Sequence, residues 1–409
     1  MVNINVKSEA SGAEVKHIKS TPYYFKAASL EIRGNRINLP KRAVTTVEFN
    51  SNSNLRELVD MTTDIAIIDK QLKADSIGNL LRGTDEFAKL HNFMGARISK
   101  MRYSKMKGFL IRPQINAKNT LKTKDDYEKV YDYSKEIAID IKSDFYGLMF
   151  PSNIPVDEIK DIWNKYIINR NSEDPYPIIF LDPSDDDFPS FQNLIPYLKA
   201  HIDSGHFNLL GSYYTSPVRM FPFNREIIAN FKNSDLATFT VGIKRQTDYE
   251  LLSGIHGQEL FMSDIVAVAA GHSFPKKKPD GTPIKTAYMP KAFLDKNLTI
   301  NKLSSLIGNK DNINSFLTSI SKLKSKELRD FINNIIHSKT VDEIVNDDLT
   351  ASDLGNAFKL HELEKSINEI EISRDFARKG EISEYVSQAK PILSAWLGDV
   401  DNGINRKKW

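Results

Sequence analysis

The sequence predicts an α/β fold, a TIM-like (β/α)8 barrel followed by a C-terminal helical extension. Seven short apolar runs alternate with segments of helical periodicity, which is the pattern of parallel strands joined by crossover helices. Polar residues follow these runs directly, as they do at the carboxyl ends of barrel strands. The composition agrees, because 409 residues with 40% hydrophobic content can bury a large core.

The first part of the chain contains one clear element. Residues 1–24 are a polar segment for which no regular structure is predicted. Phe25–Thr46 contains a predicted β-hairpin that turns at Gly34, because apolar and polar residues alternate on both sides of the turn. An eighth barrel strand is expected either in this hairpin region or after His272.

The barrel region is predicted to alternate strands and helices. The predicted strands are Asp64–Asp69, Gly108–Gln114, Phe145–Phe150, Pro177–Leu181, Phe207–Tyr214, Ala237–Ile243 and Asp264–His272. The predicted helices are Asp75–Asn92 with a break at Gly83, Lys124–Asp140, Val156–Asn169, Phe191–Ile202 and Asn224–Phe231.

The pattern changes after residue 275. A basic loop containing Lys276–Lys278 opens the region, and apolar residues then recur at three- and four-residue spacing from Leu298–Leu306 onward. This spacing predicts helices that pack into a core, and it leaves a homodimer open. The predicted division is a polar segment at 1–24, a barrel at 25–275 and a basic, helical region at 276–409.

Composition excludes several classes of site. The sequence has no cysteine, so disulfides, thiolate zinc sites and a cysteine nucleophile are impossible. The net charge is only +3, from 56 basic and 53 acidic residues, so binding to nucleic acid would need a local patch. No apolar run approaches the ~20 residues of a membrane span, and the start of the chain lacks the apolar core of a signal peptide. A cytoplasmic location is therefore expected.

Polar residues at strand ends form the predicted site, because such residues share the mouth of a barrel. They are Asp69, Arg112, Gln114, Asp182, Asp185, Tyr213, Tyr214, Lys244, Arg245 and His272. Carboxylates can attack or stabilise an oxocarbenium-like centre, a tyrosine can stack on an extruded base, and cations can hold phosphates. Successive side chains of a strand point to opposite faces, so at most one of the two tyrosines is expected to face the mouth.

Other interpretations compete at several positions. Asp182 directly follows a predicted strand and is the functional candidate, although an Asp before a Pro also serves as a cap. Asp185–Asp187 fit the start of the next helix, where negative charge is favourable. His272 also fits a hydrogen-bonded core histidine, and Lys276–Lys278 also fit a solvated loop beside the mouth that could hold a phosphate backbone.

No cofactor or metal site is predicted. The sequence has neither a glycine-rich phosphate loop nor an HExxH motif. His201 and His206 are expected to be separated across the end of a helix. The oxygen ligands of Asp182, Asp185 and Asp187 would suit magnesium, but acidic runs of this kind are frequent by chance.

Residues 28–69, which include SLEIRGNRINLP and LRELVDMTTDIAIID, resemble the opening of tRNA-guanine transglycosylases and their DNA-acting paralogues. The alternation that follows is similar to the barrel of that family as far as Phe274. The resemblance implies a barrel that binds a flipped nucleobase and acts on its N-glycosidic bond with aspartates. Phe261–Asp264 is a loose counterpart of the family's FDC-like motif, which makes Asp264 a catalytic candidate beside Asp69 and Asp182.

The DSGG motif and the zinc-binding cysteines and histidine of that family are absent from this sequence. The resemblance therefore implies a branch without the zinc site that excises or exchanges a base in DNA rather than RNA. Such a branch includes the kind of protein that is used in defence against phages with modified bases. The expected substrate-binding residues are Arg112, Gln114, Tyr213, Tyr214 and His272, and the expected contacts to the nucleic-acid backbone are Lys244, Arg245, Lys276, Lys277 and Lys278. The alternatives are a non-catalytic nucleic-acid-binding barrel and a barrel hydrolase for a small sugar or phosphate substrate.

Overall fold

The structure is a computed structural model. It describes residues 4–8, 27–32, 34–45, 64–101, 104–151, 153–183, 188–214, 217–231, 234–243, 263–268, 291–294, 300–302, 326–340 and 367–381, together with positions 310, 311, 314, 318, 343, 363, 384 and 385.

A small antiparallel sheet precedes the barrel. It consists of β1 (Ile4–Ser8), β2 (Ala28–Ile32) and β3 (Asn35–Leu39), with β2 in the centre. The predicted hairpin is confirmed, since β2 and β3 pair across Gly34, which has a φ of 75°. The sequence predicted no element before Phe25, and β1 is therefore a correction. Its period-two pattern is only five residues long, too short to identify without the partner strand.

Eight parallel strands close into a barrel, which confirms the predicted fold class. They are β4 (Lys41–Thr45), β5 (Ile65–Leu72), β6 (Met106–Pro113), β7 (Phe145–Met149), β8 (Tyr176–Leu181), β9 (Leu209–Tyr213), β10 (Ala237–Ile243) and β11 (Ile265–Val268). Each strand pairs with the next in the chain, and β11 pairs back with β4. The eighth strand is thus β4, which directly follows the hairpin.

Helices fill most of the connections. The described helices include α1 (Ala74–Leu81), α2 (Glu86–Ile98), α3 (Lys124–Asp140), α4 (Val156–Trp163), α5 (Phe188–Asp203), α6 (Pro217–Phe231) and α7 (Lys326–Ser338). The predicted break at Gly83 separates α1 from α2, and Gly83 has a φ of 70°. The α3 helix has the predicted bounds, and it begins at Lys124 because Thr123 and Asp126 form a capping box there. None of the described helices is both long and apolar enough to cross a membrane.

Large and small side chains alternate to fill the barrel interior. The rings of Phe145 and Phe180 flank Phe239, with centroid distances of 6.0 and 5.6 Å. Glycine stands where a ring lies over the neighbouring strand, and a Cβ atom at Gly211 would overlap the ring of Phe180, its partner on β8. The interior is therefore a packed core, and any site must lie at an end of the barrel.

The small N-terminal sheet closes one end of the barrel. Leu30 and Ile37 belong to the same buried cluster as the barrel interior, which includes Met106 and Tyr176 at the starts of their strands. The sheet also leads directly into the first residue of β4, so it lies at the amino-terminal end of the strands. The carboxyl end remains as the end at which polar strand residues can meet a substrate.

The C-terminal region contributes to the outer layer. Residues 367–379 are helical, and Ile370 and Ala377 share a buried cluster with the outward-facing residues of the strands. Where helix was predicted at Leu298–Leu306, the structure has β13 (Ile300–Lys302), which pairs with β12 (Lys291–Leu294). Thr299 and Ile300 are β-branched, a residue type that favours strands.

Candidate active site

Four of the predicted site residues lie on the inner face of the barrel, near the carboxyl ends of their strands. These are Asp69 on β5, Arg112 on β6, Asp182 after β8 and Tyr213 on β9. Side chains along a strand alternate between faces, so a residue two positions beyond an interior residue also points inward. The interior residues two positions before the first three are Ile67, Leu110 and Phe180, and Tyr213 belongs to the interior cluster itself.

Asp69 and Arg112 form a bidentate ion pair across the neighbouring strands β5 and β6. Nε of Arg112 donates to Oδ1 of Asp69 at 2.8 Å, and Nη2 donates to Oδ2 at 2.7 Å. The pair is largely removed from water, since the side chains of Arg112 and Asp69 are 14% and 19% exposed. A parallel, doubly hydrogen-bonded pair of this kind is the strong form of an arginine–carboxylate interaction.

The guanidinium of Arg112 extends across the barrel axis. Its Cζ lies 4.6 Å from the centroid of the Tyr213 ring on β9. A Cβ atom on Gly242 of β10 would lie 3.6 Å from Nη2. β10 is four strands from β6 in either direction around the eight-stranded barrel. The Arg112 side chain therefore crosses the barrel from one side to the other, and with its contacts it forms the floor of the mouth.

Charge at this floor is set by Arg112 and two carboxylates. Burial lowers the pKa of Arg112, but the hydrogen bonds and charge of Asp69 outweigh burial, and the charges of Tyr213 and Asp182 act in the same direction, so the net shift is upward. Arg112 is therefore a permanent cation. Asp182 and Asp69 both favour the charged form of this guanidinium, and both lie on the inner face near the carboxyl ends of their strands.

Asp182 directly follows β8 and is buried, with 7% of its surface exposed. The run of apolar residues in β8 explains this position, because every residue from Tyr176 to Leu181 is buried and Asp182 is the first polar residue after the strand. Asp185–Asp187 lie outside the described residues, so their interpretation as a helix start stays a prediction.

The two adjacent tyrosines face in opposite directions. Tyr213 belongs to the interior cluster, whereas Tyr214 belongs to the cluster between the strands and the helices and lies outside the mouth. Tyr213 is 7% exposed, with Phe180 stacked on it at a centroid distance of 6.0 Å and with Arg112 on the ring. As arranged here, Tyr213 supports Arg112 and offers no open face to a base.

Asp264 does not join the other two aspartates. It precedes β11, its carboxylate accepts hydrogen bonds from N of Thr238 at 2.8 Å and from Oγ1 at 3.0 Å, and Thr238 is the second residue of β10. Its carbonyl accepts from N of Lys41, the first residue of β4. Asp264 is thus at the amino-terminal end of the barrel, where it ties three strand starts together.

The remaining predicted residues divide into two groups. Gln114 follows β6 at the rim, where its N donates to the carbonyl of Leu72 at 2.8 Å. The others lie outside the described residues, and their roles stay predictions: Lys244, Arg245, His272, Lys276, Lys277 and Lys278.

Sequence reasoning missed two residues of the mouth. Gln71 is on the same face of β5 as Asp69, and with its amide oxygen turned toward Arg112 it accepts from Nη1 at 3.2 Å and from Nη2 at 2.5 Å. Its period-two spacing from Asp69 was the available signal. Gly242, with a φ of 81°, sits at a register shift in β10. A glycine before the end of a strand signals a bulge of this kind.

Comparisons with known proteins do not identify the chain. No protein-family model matches the sequence, and a search of curated proteins finds no match.

Proposed function

We propose that the protein is a DNA glycosylase or transglycosylase that cleaves the N-glycosidic bond of a flipped, modified nucleobase at the carboxyl end of the barrel. The observation that carries the proposal is the position of Asp69 and Asp182 on the inner face at the carboxyl end of the barrel, where Asp69 pairs with Arg112, the charge of Asp182 raises the pKa of Arg112, and the Tyr213 ring lies against the guanidinium. The resemblance of residues 28–69 to base-exchanging barrels supports cleavage of an N-glycosidic bond. The proposed substrate polymer is DNA.

The two carboxylates have different surroundings and would have different roles. Both oxygens of Asp69 accept hydrogen bonds from Arg112, so Asp69 acts by fixing the guanidinium. Asp182 is buried directly after β8, and its charge raises the pKa of Arg112. Because both oxygens of Asp69 are already engaged with Arg112, we assign Asp182 to face the sugar C1′.

The reaction follows from this assignment. The C1′–N bond breaks, its electron pair leaves with the base, and the base takes up a proton. The carboxylate of Asp182 stabilises the positive charge that develops at C1′, or forms a bond to it. Water that adds to C1′ and loses a proton then leaves an abasic site, whereas a second base that adds there gives exchange.

The rim of the mouth offers amide groups for reading a base edge. Gln71 is exposed on β5, and Gln114 follows the adjacent strand β6. An amide can donate and accept at once, which suits the Watson–Crick edge of an extruded base. Extrusion costs a few kcal/mol and is least costly for a base that pairs poorly, so part of the selectivity would come from the DNA itself.

Base release on a panel of DNA duplexes tests the proposal. Each duplex carries one modified base or none, abasic sites are revealed as strand breaks after alkaline treatment, and the free base is identified by chromatography. The proposal predicts release from at least one modified duplex. It is contradicted if no duplex loses a base even when the protein is in excess over DNA.

One observation favours a second candidate, a nucleic-acid-binding barrel without chemistry. Asp69, Gln71 and Tyr213 all contact Arg112, which is an arrangement that a purely structural floor would also use. For this candidate, DNA binding that weakens steeply with salt would occur without any release of base.

A further inference from the structure

Two histidines meet at the amino-terminal end of the barrel, far from the proposed mouth. His201 lies in the last turn of α5, and His206 follows the helix before β9 begins. Their Nδ1 atoms are 3.4 Å apart, with ring centroids 5.6 Å apart. The sequence predicted that the end of the helix would separate them, and the structure corrects this expectation.

The backbone itself brings the two residues together. N of His206 donates to the carbonyl of His201 at 2.9 Å, and N of Gly205 donates to the carbonyl of Ile202 at 2.9 Å. Gly205 has a φ of 72°, in the left-handed region that glycine adopts without strain. These are the two hydrogen bonds of a Schellman motif, whose flanking positions often hold two apolar side chains in contact. Here both positions are histidine.

The separation of the two nitrogens suits a shared metal ion. Imidazole nitrogens bind Zn²⁺ at about 2.0–2.1 Å, so two of them at a tetrahedral ion lie about 3.3–3.4 Å apart. The Nδ1 atoms already have this separation, and no backbone movement is needed to reach it.

The surroundings favour a cation at this position. The negative end of the α5 dipole lies at its C-terminus, where His201 is located. The Tyr197 ring contacts the His201 ring edge to face at 4.4 Å and restricts its orientation. Burial, and to a lesser extent the charge of His206, lower the pKa of His201. The side chain of His206 is exposed, which leaves the pair accessible.

We propose that His201 and His206 form a binding site for a divalent transition-metal ion such as Zn²⁺, Ni²⁺ or Cu²⁺. Among the residues that the structure describes, no three or more metal-binding side chains converge, so the chain supplies two ligands and water or another molecule completes the coordination. On binding, the proton shared between the two Nδ1 atoms moves to Nε2 of its own ring. The ion then fastens the end of α5 to the segment that enters β9.

Calorimetric titration and thermal unfolding with Ni²⁺, Zn²⁺ and Cu²⁺ test this site, with Mg²⁺ as the inactive ion. We expect one ion per chain, tightest for Cu²⁺, and a rise in Tm that EDTA reverses. His206→Ala and His201→Ala should each abolish saturable binding and the rise in Tm. Neither substitution removes a hydrogen bond of the Schellman motif, because that motif uses the backbone.

His91→Ala is the matched control, since His91 lies 3.3 Å from Asp140 rather than beside another histidine. This variant should bind the ion as tightly as the unsubstituted protein does. The proposal is overturned if the unsubstituted protein shows no saturable binding, or if His206→Ala binds as well as His91→Ala. In either case the pair would serve only as a hydrogen bond between two imidazoles.

Discussion

The guanidinium of Arg112 on β6 lies against Gly242 on β10, the strand on the opposite side of the barrel. Only a long side chain can span this distance, and a Cβ atom at Gly242 would be in ordinary van der Waals contact with its end, at 3.6 Å from Nη2. Between these two points, Arg112 passes the carboxylate of Asp69 and the ring of Tyr213. The floor of the mouth thus depends on one side chain and on the partners that hold it.

Removal of the Arg112 side chain should leave the carboxylate of Asp69 unpaired in a largely buried position. We expect Arg112→Met to lower the free energy of unfolding by about 3 kcal/mol, because Asp69 loses both of its hydrogen bonds. Urea unfolding measures this loss. Adding Asp69→Asn should restore part of the stability, since the double variant no longer buries an unpaired charge.

Arg82→Met is the control and should cost less than about 0.5 kcal/mol, because Arg82 lies on the surface. Equal losses in the two arginine variants would refute the buried pair.

The contact between Gly242 and Arg112 predicts a difference between two glycine substitutions. Gly242 and Gly34 have similar φ values, 81° and 75°, so any side chain incurs a similar backbone strain of about 1–2 kcal/mol at both. Gly34 has open space around it, whereas Gly242 faces Nη2 of Arg112. Gly242→Leu should therefore lower the free energy of unfolding by more than Gly34→Leu does. If the two variants unfold at the same urea concentration, Arg112 does not reach β10.

Close packing of the interior predicts opposite effects at two other glycines. Gly211→Ala should destabilise the protein by about 1–3 kcal/mol, because the added methyl overlaps the Phe180 ring. Gly95→Ala should stabilise it by up to about 1 kcal/mol, since Gly95 lies within α2 and its new methyl would meet Ile141 at an ordinary 3.7 Å. Thermal unfolding of both variants checks the prediction, and a neutral Gly211→Ala would mean that the barrel interior is loosely filled.

Asp64 makes stability depend on pH. Burial raises the pKa of Asp64, but hydrogen bonds and charge interactions with Lys105 and Lys41 outweigh burial and lower it below 3.8. A carboxyl whose pKa is lower in the folded state stabilises the protein above its unfolded pKa and loses this effect as pH falls through the folded value. The stability difference between the unsubstituted protein and Asp64→Asn should therefore shrink as pH falls from about 5 to 2.

Urea unfolding at several pH values measures that difference. The matched control is Asp157→Asn, whose side chain is 93% exposed and pairs only with Lys160 among the described salt bridges. Its stability should follow that of the unsubstituted protein across the range. A constant difference for Asp64→Asn would show that Lys41 and Lys105 do not hold this carboxylate.

The sequence allowed the barrel to be predicted, together with four of the residues at its mouth. Short continuous apolar runs located the strands that end near Arg112 and Asp182, and parallel order then placed those residues in one mouth. The catalytic role of Asp264 was predicted from a resemblance to a motif. Asp264 precedes β11, and a residue before a parallel barrel strand lies at the amino-terminal end of the barrel.

Other features depended on contacts that no short stretch of sequence encodes. The approach of Arg112 to Gly242 requires the closed barrel, because the two residues are 130 positions apart in the chain (242 minus 112). The meeting of His201 and His206 requires the left-handed turn at Gly205, which the spacing of the two histidines does not reveal.

Comparison of Asp182→Asn with Asp264→Asn in the abasic-site assay tests the central claim most directly. Both residues are buried aspartates, but they lie at opposite ends of the barrel. At equal concentrations of folded protein, we predict that Asp182→Asn lowers the rate of base release at least about 100-fold, while Asp264→Asn leaves the rate per folded molecule unchanged. Full activity of Asp182→Asn, or loss of activity only in Asp264→Asn, would contradict an active site at the carboxyl end.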